Sequence, residues 1–250
     1  MSDRRCPSPA LDEIHVWWIA LDRRDDDAVA MLSPEERARA DRFLRPLDRE
    51  RWIAARAALR QILAGYTGSL PEDVRFVPPS PSALGEGGRG VRARSTKPAL
   101  AGRSPVRFSL THAGARAALA VTWERDVGID LEPIDPEIDL PPLISIACTP
   151  PEPARLDALP PAARAHAFLT LWTLKEAYLK ATGAGLSRDP RDICVELAPD
   201  GRVSVHDPRQ QSDSQPWTLR LLDPGPGWIA AFAVAGTKPS LRELGWPRDP

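Results

Sequence analysis

Val127-Gly128-Ile129-Asp130-Leu131-Glu132 and, about forty residues later, Leu171-Trp172-Thr173-Leu174-Lys175-Glu176-Ala177-Tyr178-Leu179-Lys180 are the two segments that organise this chain. In the first, Val127, Ile129 and Leu131 alternate with Gly128, Asp130 and Glu132. That is the period of a half-buried strand, so the two carboxylates leave the same face. The second reads as a helix on which Glu176 and Lys180, four apart, share one side. Three carboxylates and the two lysines, Lys175 and Lys180, can therefore converge on one spot. A hard divalent cation bound to a phosphate ester needs such a set: oxygen ligands for the metal and cations for the remaining phosphate charge.

Each segment has an ordinary reading as well. A lone Asp-x-Glu is commonly the solvent-facing edge of an antiparallel strand. A Glu–Lys pair at i, i+4 is commonly a solvated helix face, worth ~0.2–0.5 kcal/mol. The surroundings argue against both, because Phe168, Leu169, Leu171, Trp172, Leu174, Tyr178 and Leu179 make the helix mostly covered. Charges in such a setting need partners, and two adjacent carboxylates repel unless a cation or donors satisfy them. Trp172 itself reads as core.

The 250 residues suffice for a substantial core, as one large domain or two halves. A net charge of −1 excludes a global electrostatic case for nucleic acid. Lys97, Lys175, Lys180 and Lys238 are the only lysines, so two of the four fall in the second segment. Cys6, Cys148 and Cys194 form no CxxC pair, which fits a reducing cytosol better than a disulfide framework or zinc site. The N-terminus lacks the apolar core of a signal peptide, and no apolar run approaches the roughly 20 residues of a membrane span. A soluble, cytoplasmic protein is expected.

Working outward, residues 1–12 read as a flexible lead-in and 15–21 as a buried strand. Ser33-Pro34-Glu35-Glu36 signals a helix start, with Ser33 as N-cap and Glu36 completing a capping box; the helix is expected to reach about Arg45. A second helix is expected over 48–64, closed by Gly65. Residues 78–95, rich in Pro, Ser, Gly and Arg, read as a mobile loop. Strands follow at 106–111 and 116–123, joined by the turn His112-Ala113-Gly114-Ala115, and at 126–132. The proline-dense stretch 133–153 reads as a connector with one short helical turn. A helix over 160–182 ends at Gly183, and strands recur at 192–198, 202–206, 216–222 and 228–235. This order predicts an α+β protein of two similar halves joined near Trp123–Asp126. The N-terminal subdomain would cover 13–123 and the C-terminal one 124–236, with 237–250 a flexible tail.

The combination of Gly-Ile-Asp-Leu-Glu with Trp-Thr-Leu-Lys-Glu-Ala-Tyr-Leu-Lys resembles the two signature motifs of the Sfp-type 4'-phosphopantetheinyl transferases. Their pattern is G-[IV]-D-[IVL]-E followed by W-[ST]-x-K-E-[AS]-x-x-K. Ser33-Pro-Glu-Glu-Arg with Arg42-Phe43 is similar to the family's first helix. Arg51 falls where the family carries a basic residue. Lys97-Pro98 resembles its Gly-Lys-Pro element, Phe108 to Gly114 its F-x-x-S-H-S/A-G segment, and Gly185-Leu186-Ser187 the turn after the long helix. Thr96, Thr111 and Glu36 depart from the usual glycine, serine and basic residue. Arg89, Arg92 and Arg94 could compensate.

The resemblance implies two similar α/β subdomains related by a pseudo-two-fold, with the active site at their interface. It implies transfer of the phosphopantetheine arm of coenzyme A to a serine of an apo acyl or peptidyl carrier protein, with release of 3',5'-ADP. By the same resemblance, Asp130, Glu132 and Glu176 would coordinate Mg²⁺, and Lys175 and Lys180 would offset phosphate charge. Lys175 would assist the leaving nucleotide, while Glu176 or a metal-bound water would serve as base. Arg51, Lys97, Pro98, Thr111 and His112 would contact coenzyme A. The expected partners are coenzyme A and the carrier, with no nucleic acid and no membrane, and the expected state is a monomer. Two rival readings are a non-catalytic module binding coenzyme A or a carrier, and a metal-dependent phosphodiesterase.

Overall fold

The computed structural model describes residues 9–23, 25–77, 98–184, 188–210 and 215–246. The expected mobile loop 78–95, with Arg89, Arg92 and Arg94, lies outside them, as do Thr96, Lys97 and the Gly185-Leu186-Ser187 turn.

Strand β1 (Glu13–Ala20) turns Ile14 and Val16 to one side and Trp17 and Ile19 to the other, and all four are buried. Burial on both faces explains why this strand reads as an unbroken apolar run. Helix α1 (Pro34–Ala40) opens on the expected capping box: the Glu36 amide donates to Ser33 Oγ (3.3 Å) and the Ser33 amide to Glu36 Oε2 (2.9 Å). It stops at Ala40, short of the expected Arg45. Pro46 opens helix α2 (Pro46–Thr67), and a residue preceding proline is driven to extended backbone, as Arg45 is. Helix α2 passes straight through Gly65, its expected end, and closes at Gly68 with φ +67°. A helical glycine costs about 1 kcal/mol relative to alanine, less than is gained by burying Ile62, Leu63 and Tyr66.

Strands β2 (Phe76–Val77) and β3 (Ala99–Leu100) form a small ladder. Strands β4 (Val106–Ala113) and β5 (Arg116–Trp123) form a hairpin about Gly114-Ala115, so His112 sits on the strand rather than in the turn. After β6 (Val127–Pro133) the proline-dense connector holds two helices, α3 (Leu140–Ala147) and α4 (Glu152–Asp157), instead of one turn. Their prolines occupy first-turn positions, where the missing N–H has no helical partner to lose. Helix α5 (Pro161–Ala181), β7 (Cys194–Leu197), β8 (Val203–His206), β9 (Trp217–Leu222) and β10 (Trp228–Ala235) follow close to expectation.

The residues 237–250, expected to be a flexible tail, instead contribute β11 (Ser240–Trp246), parallel to β1 from Glu13↔Ser240 to Ile19↔Trp246. Leu244 and Trp246 pack on one side and Leu241 on the other, and Trp17 meets Trp246 edge-on at 6.0 Å. Arg242 and Glu243 interrupt the alternation, which hid the strand; Glu243 accepts from the Trp18 indole (2.8 Å).

The two main sheets run β11-β1-β5-β4 and β6-β10-β9. Helix α2 covers one face of the first through Leu59, Ile62 and Leu63 against Trp17, Phe108 and Leu119. The other face, with Val16, Ala118 and Ala120, packs on Ile129, Leu131 and Phe232 of the second. Helix α5 covers the far side through Leu174, Tyr178 and Leu179 against Ala231 and Ala233. The layers are thus helix, sheet, sheet, helix. At their edges β4 meets β6 through side chains, the Ile129 amide donating to Ser109 Oγ (3.3 Å).

Gly128 sets the spacing of the last layer. A Cβ built there would stand 2.0 Å from the Ala177 carbonyl oxygen and 2.4 Å from the Ala181 amide nitrogen, so α5 lies backbone-to-backbone on β6. No side-chain rotamer can relieve a clash with helix backbone. Gly128→Ala should therefore destabilise by about 1–3 kcal/mol as an overpacking change, seen as a lower thermal midpoint. Deleting residues 240–250 should also lower the midpoint, because it strips β1 of its outer partner; an unchanged midpoint would mean that β11 contributes nothing.

Candidate active site

Since Val127, Ile129 and Leu131 face the neighbouring sheet, strand alternation turns Gly128, Asp130 and Glu132 toward α5. The helix contributes Glu176 and Lys180 one turn apart. Lys180 Nζ donates to Asp130 Oδ1 (2.5 Å) and to Thr111 Oγ1 (3.1 Å), and the Thr111 hydroxyl donates to the same Asp130 oxygen (3.1 Å). The Trp172 indole donates to Glu132 Oε1 (3.0 Å). Asp130, Lys180 and Thr111 are thus in contact, and Glu132 and Glu176 lie close enough for their charges to act on one another, so the three carboxylates and Lys180 share one region.

The electrostatics of this cluster are unfavourable as it stands. Asp130 is 3% exposed and Glu176 8%. Burial, together with the Asp130 carboxylate, pushes the Glu132 acid above its ordinary range, with Trp172 and Lys180 opposing. Burial likewise raises Glu176; Lys180 opposes this and the charges of Asp130 and Glu132 add to it. Asp130 Oδ2 and Glu176 Oε1 are buried without a hydrogen-bond partner. Orphaned carboxylate oxygens in a repelling group fit a bound hard cation, for which oxygen donors are the ordinary ligands. Among the described residues, however, no three His, Cys, Asp or Glu side chains already stand gathered as a ligand set. Lys180, seated on Asp130, supplies positive charge in the present arrangement.

Lys175 does not join this group, contrary to the expected convergence of both lysines on the carboxylates. One residue apart on a helix, Lys175 and Glu176 point about 100° away from each other. The Lys175 ammonium is fully buried and donates to Glu152 Oε2 (2.6 Å), Ala147 O (2.8 Å) and Pro190 O (3.2 Å). Glu152 in turn accepts from the amides of Thr149 (2.7 Å) and Val195 (2.9 Å). This is a saturated internal strut tying α5 to the α3–α4 segment and β7. The sequence showed that a covered lysine needs partners; only the fold shows that Glu152 is one of them.

Next to Thr111 on β4, His112 borders a cleft of ≈ 670 Å³ lined also by Arg39, Arg56, Arg75, Phe76 and Pro98, among others. His112 stands at its accessible wall, where crowding and then the charges of Lys180 and Arg39 hold the imidazole below its ordinary pKa. The same residue thus adjoins both the cleft and Lys180. Pro98 lines the cleft, whereas Arg51 does not: its guanidinium is engaged with Asp22 (2.8 and 3.3 Å). Arg56 and Arg75, not singled out in the sequence, line the cleft that Arg51 does not reach.

Glu36, noted as a departure, is accounted for by Arg56 and Arg60, which donate to its two oxygens at 2.5 and 2.7 Å. Burial opposes its ionisation, but Arg60, the Ser33 amide and Arg56 outweigh that and hold the acid below its usual range. Among the described residues, no helix is long and apolar enough to cross a membrane.

A family model described as the 4'-phosphopantetheinyl transferase superfamily matches residues 126–233, from the start of β6 into β10. The 4'-phosphopantetheinyl transferase HetI of Nostoc sp. is 38% identical over 231 residues, covering 90% of this chain and 89% of its own. The 4'-phosphopantetheinyl transferase Sfp of Bacillus subtilis is 25% identical over 225 residues, covering 88% and 92% respectively. A solved holo-(acyl-carrier-protein) synthase from Bacillus anthracis in complex with CoA (3',5'-ADP) overlaps 45% of this chain and 96% of its own, with a TM-score of 0.39 at 21% identity. Near-complete coverage at 38% identity, with both acidic segments inside the matched region, places the chain in a known family: it belongs to the 4'-phosphopantetheinyl transferase superfamily.

Proposed function

We propose that this chain transfers the 4'-phosphopantetheine arm of coenzyme A to a serine of an apo acyl or peptidyl carrier protein, releasing 3',5'-ADP. The observation that carries the reading is the meeting of Asp130, Glu132, Glu176 and Lys180 beside an arginine-lined cleft, in a chain of this family. The reaction is a displacement at phosphorus, for which a protein mainly positions reactants and stabilises spreading negative charge. The two sheets would mark the pseudo-two-fold halves, 13–123 joined by β11 from the C-terminal end and 124–236, with the site at their seam. Both halves lie in one chain, so a cytoplasmic monomer is the proposed state.

In this reading Asp130, Glu132 and Glu176 hold Mg²⁺, which when bound would neutralise pyrophosphate charge as a Lewis acid. Lys180 releases part of its hold on Asp130 to face phosphate oxygens, and Thr111 keeps the Asp130 carboxylate oriented. Arg39, Arg56, Arg75 and His112 face the nucleotide end of coenzyme A; Lys97, next to Pro98, is proposed to reach it as well. Glu176 is proposed to accept the serine proton through Oε2, leaving Oε1, which is buried without a hydrogen-bond partner, for the cation. Lys175 takes no part in transfer.

Incubating apo carriers with coenzyme A and Mg²⁺, and weighing them by mass spectrometry, tests the reading. 3',5'-ADP should appear only when apo carrier is present; its release from coenzyme A alone would favour a phosphodiesterase, and tight binding without turnover a binding module. Chelating divalent cations should stop transfer and Mg²⁺ should restore it. Asp130→Asn should cut the rate by on the order of 10²–10³-fold with the fold intact.

Lys175→Met and Lys180→Met should separate structure from chemistry. The first strands the Glu152 charge in the core and should destabilise by about 3–5 kcal/mol. The second should lower the transfer rate with a smaller change in thermal midpoint. Glu176→Gln should raise the midpoint of the metal-free protein at pH 7. The sign follows from a folded-state pKa above the unfolded one: the folded acid binds its proton more tightly, so stability falls as pH rises through the titration. The advantage of glutamine should vanish at pH values where both states of Glu176 are protonated.

A further inference from the structure

The reading of the acidic cluster as a cation site leaves Trp172 without a role, although it makes a directed contact there. Its ring is half-buried against the patch formed by α3, α4 and the first half of α5, which packing alone explains. Packing does not explain the indole N–H. It is aimed at Glu132 Oε1 at 3.0 Å, across forty residues of sequence and from helix to strand. Trp172 lies one helical turn before Glu176, so the helix that supplies one carboxylate also supplies the donor that holds another.

We infer that Trp172 is a positioning residue of the cation site: its indole N–H fixes the Glu132 carboxylate and leaves Glu132 Oε2 to join Asp130 Oδ2 and Glu176 Oε1. The assignment rests on the proposed Mg²⁺ site. Asp130 has the matching arrangement, with Oδ1 taken by Thr111 and Lys180 and Oδ2 unpartnered. Each strand carboxylate is therefore held by one oxygen through a neighbour that is not a ligand. An indole suits this task because it donates one hydrogen bond, cannot accept one, and carries no charge to compete with the cation. Partners of this kind, which orient a ligand without touching the metal, typically change metal affinity by 10–100-fold when removed.

Trp172→Phe keeps an aromatic ring on the α3–α4 patch and removes the donor. In calorimetric titration with Mn²⁺ alone, without coenzyme A or carrier, the variant should bind about 10–100-fold more weakly than the unmodified protein. In transfer assays, the Mg²⁺ concentration for half-maximal rate should rise while the KM for carrier stays unchanged. Mn²⁺ affinity equal to that of the unmodified protein would overturn the assignment while leaving the cation site standing. Absence of Mn²⁺ binding in the unmodified protein would overturn both.

A second measurement does not depend on that variant folding. In the ¹H–¹⁵N spectrum of the unmodified protein, one tryptophan indole resonance should move on addition of Mg²⁺, and the same resonance should be displaced in Glu132→Gln. If no indole resonance responds to both, Trp172 is packing only.

Discussion

The contact of α5 with β6 at Gly128 is the constraint on which the rest of the molecule depends. A helix normally stands off a sheet by the length of its side chains; here one missing Cβ lets the helix backbone at Ala177 and Ala181 reach the strand itself. That approach brings Glu176 and Lys180 within reach of Asp130 and Glu132, which the alternation of β6 points toward the helix. A wider spacing would leave Lys180 short of Asp130 and the Trp172 indole short of Glu132. The glycine of the first acidic segment is therefore as much a part of the site as its carboxylates.

The buried charges divide into two kinds. Lys175 with Glu152 is matched and saturated with hydrogen bonds, and Glu36 with Arg56 and Arg60, and Asp207 with Arg188 and Tyr178, are matched as well. Such sets fix how segments join, and removing one member exposes the other to the full cost of desolvation. The carboxylates at the seam between β4 and β6 are unsatisfied by comparison, with two orphaned oxygens and two acids raised by burial and repulsion. Structural charges tend to be completed by the fold itself. Several carboxylates left incomplete at one spot point to something the chain is built to bind.

Much of this was legible in the residues because it rests on local periodicity. The two-residue repeat of 127–132 sets which side chains face α5, and the four-residue spacing of Glu176 and Lys180 puts them on one helix face. The capping box at Ser33 is a matter of adjacent residues, and it forms as read. The misreadings share a different cause. Helix α2 overruns Gly65, β11 emerges from an expected tail, and α3 and α4 form in a proline-rich connector, in each case because burial against distant residues outweighs local preference.

Roles were harder to read than positions. Lys175 and Lys180 are equivalent by composition and motif, yet one is sealed beneath Glu152 and the other reaches the open cluster. Arg51 and Arg56 are both arginines of an amphipathic helix, yet one meets Asp22 and the other lines the cleft. The amino-acid order carries the kinds of groups, their faces on each element and the family. Which of two like groups meets the solvent side of the seam depends on how α5, α4 and β7 pack together, and that packing is set by contacts between residues far apart in the chain, which no local pattern encodes.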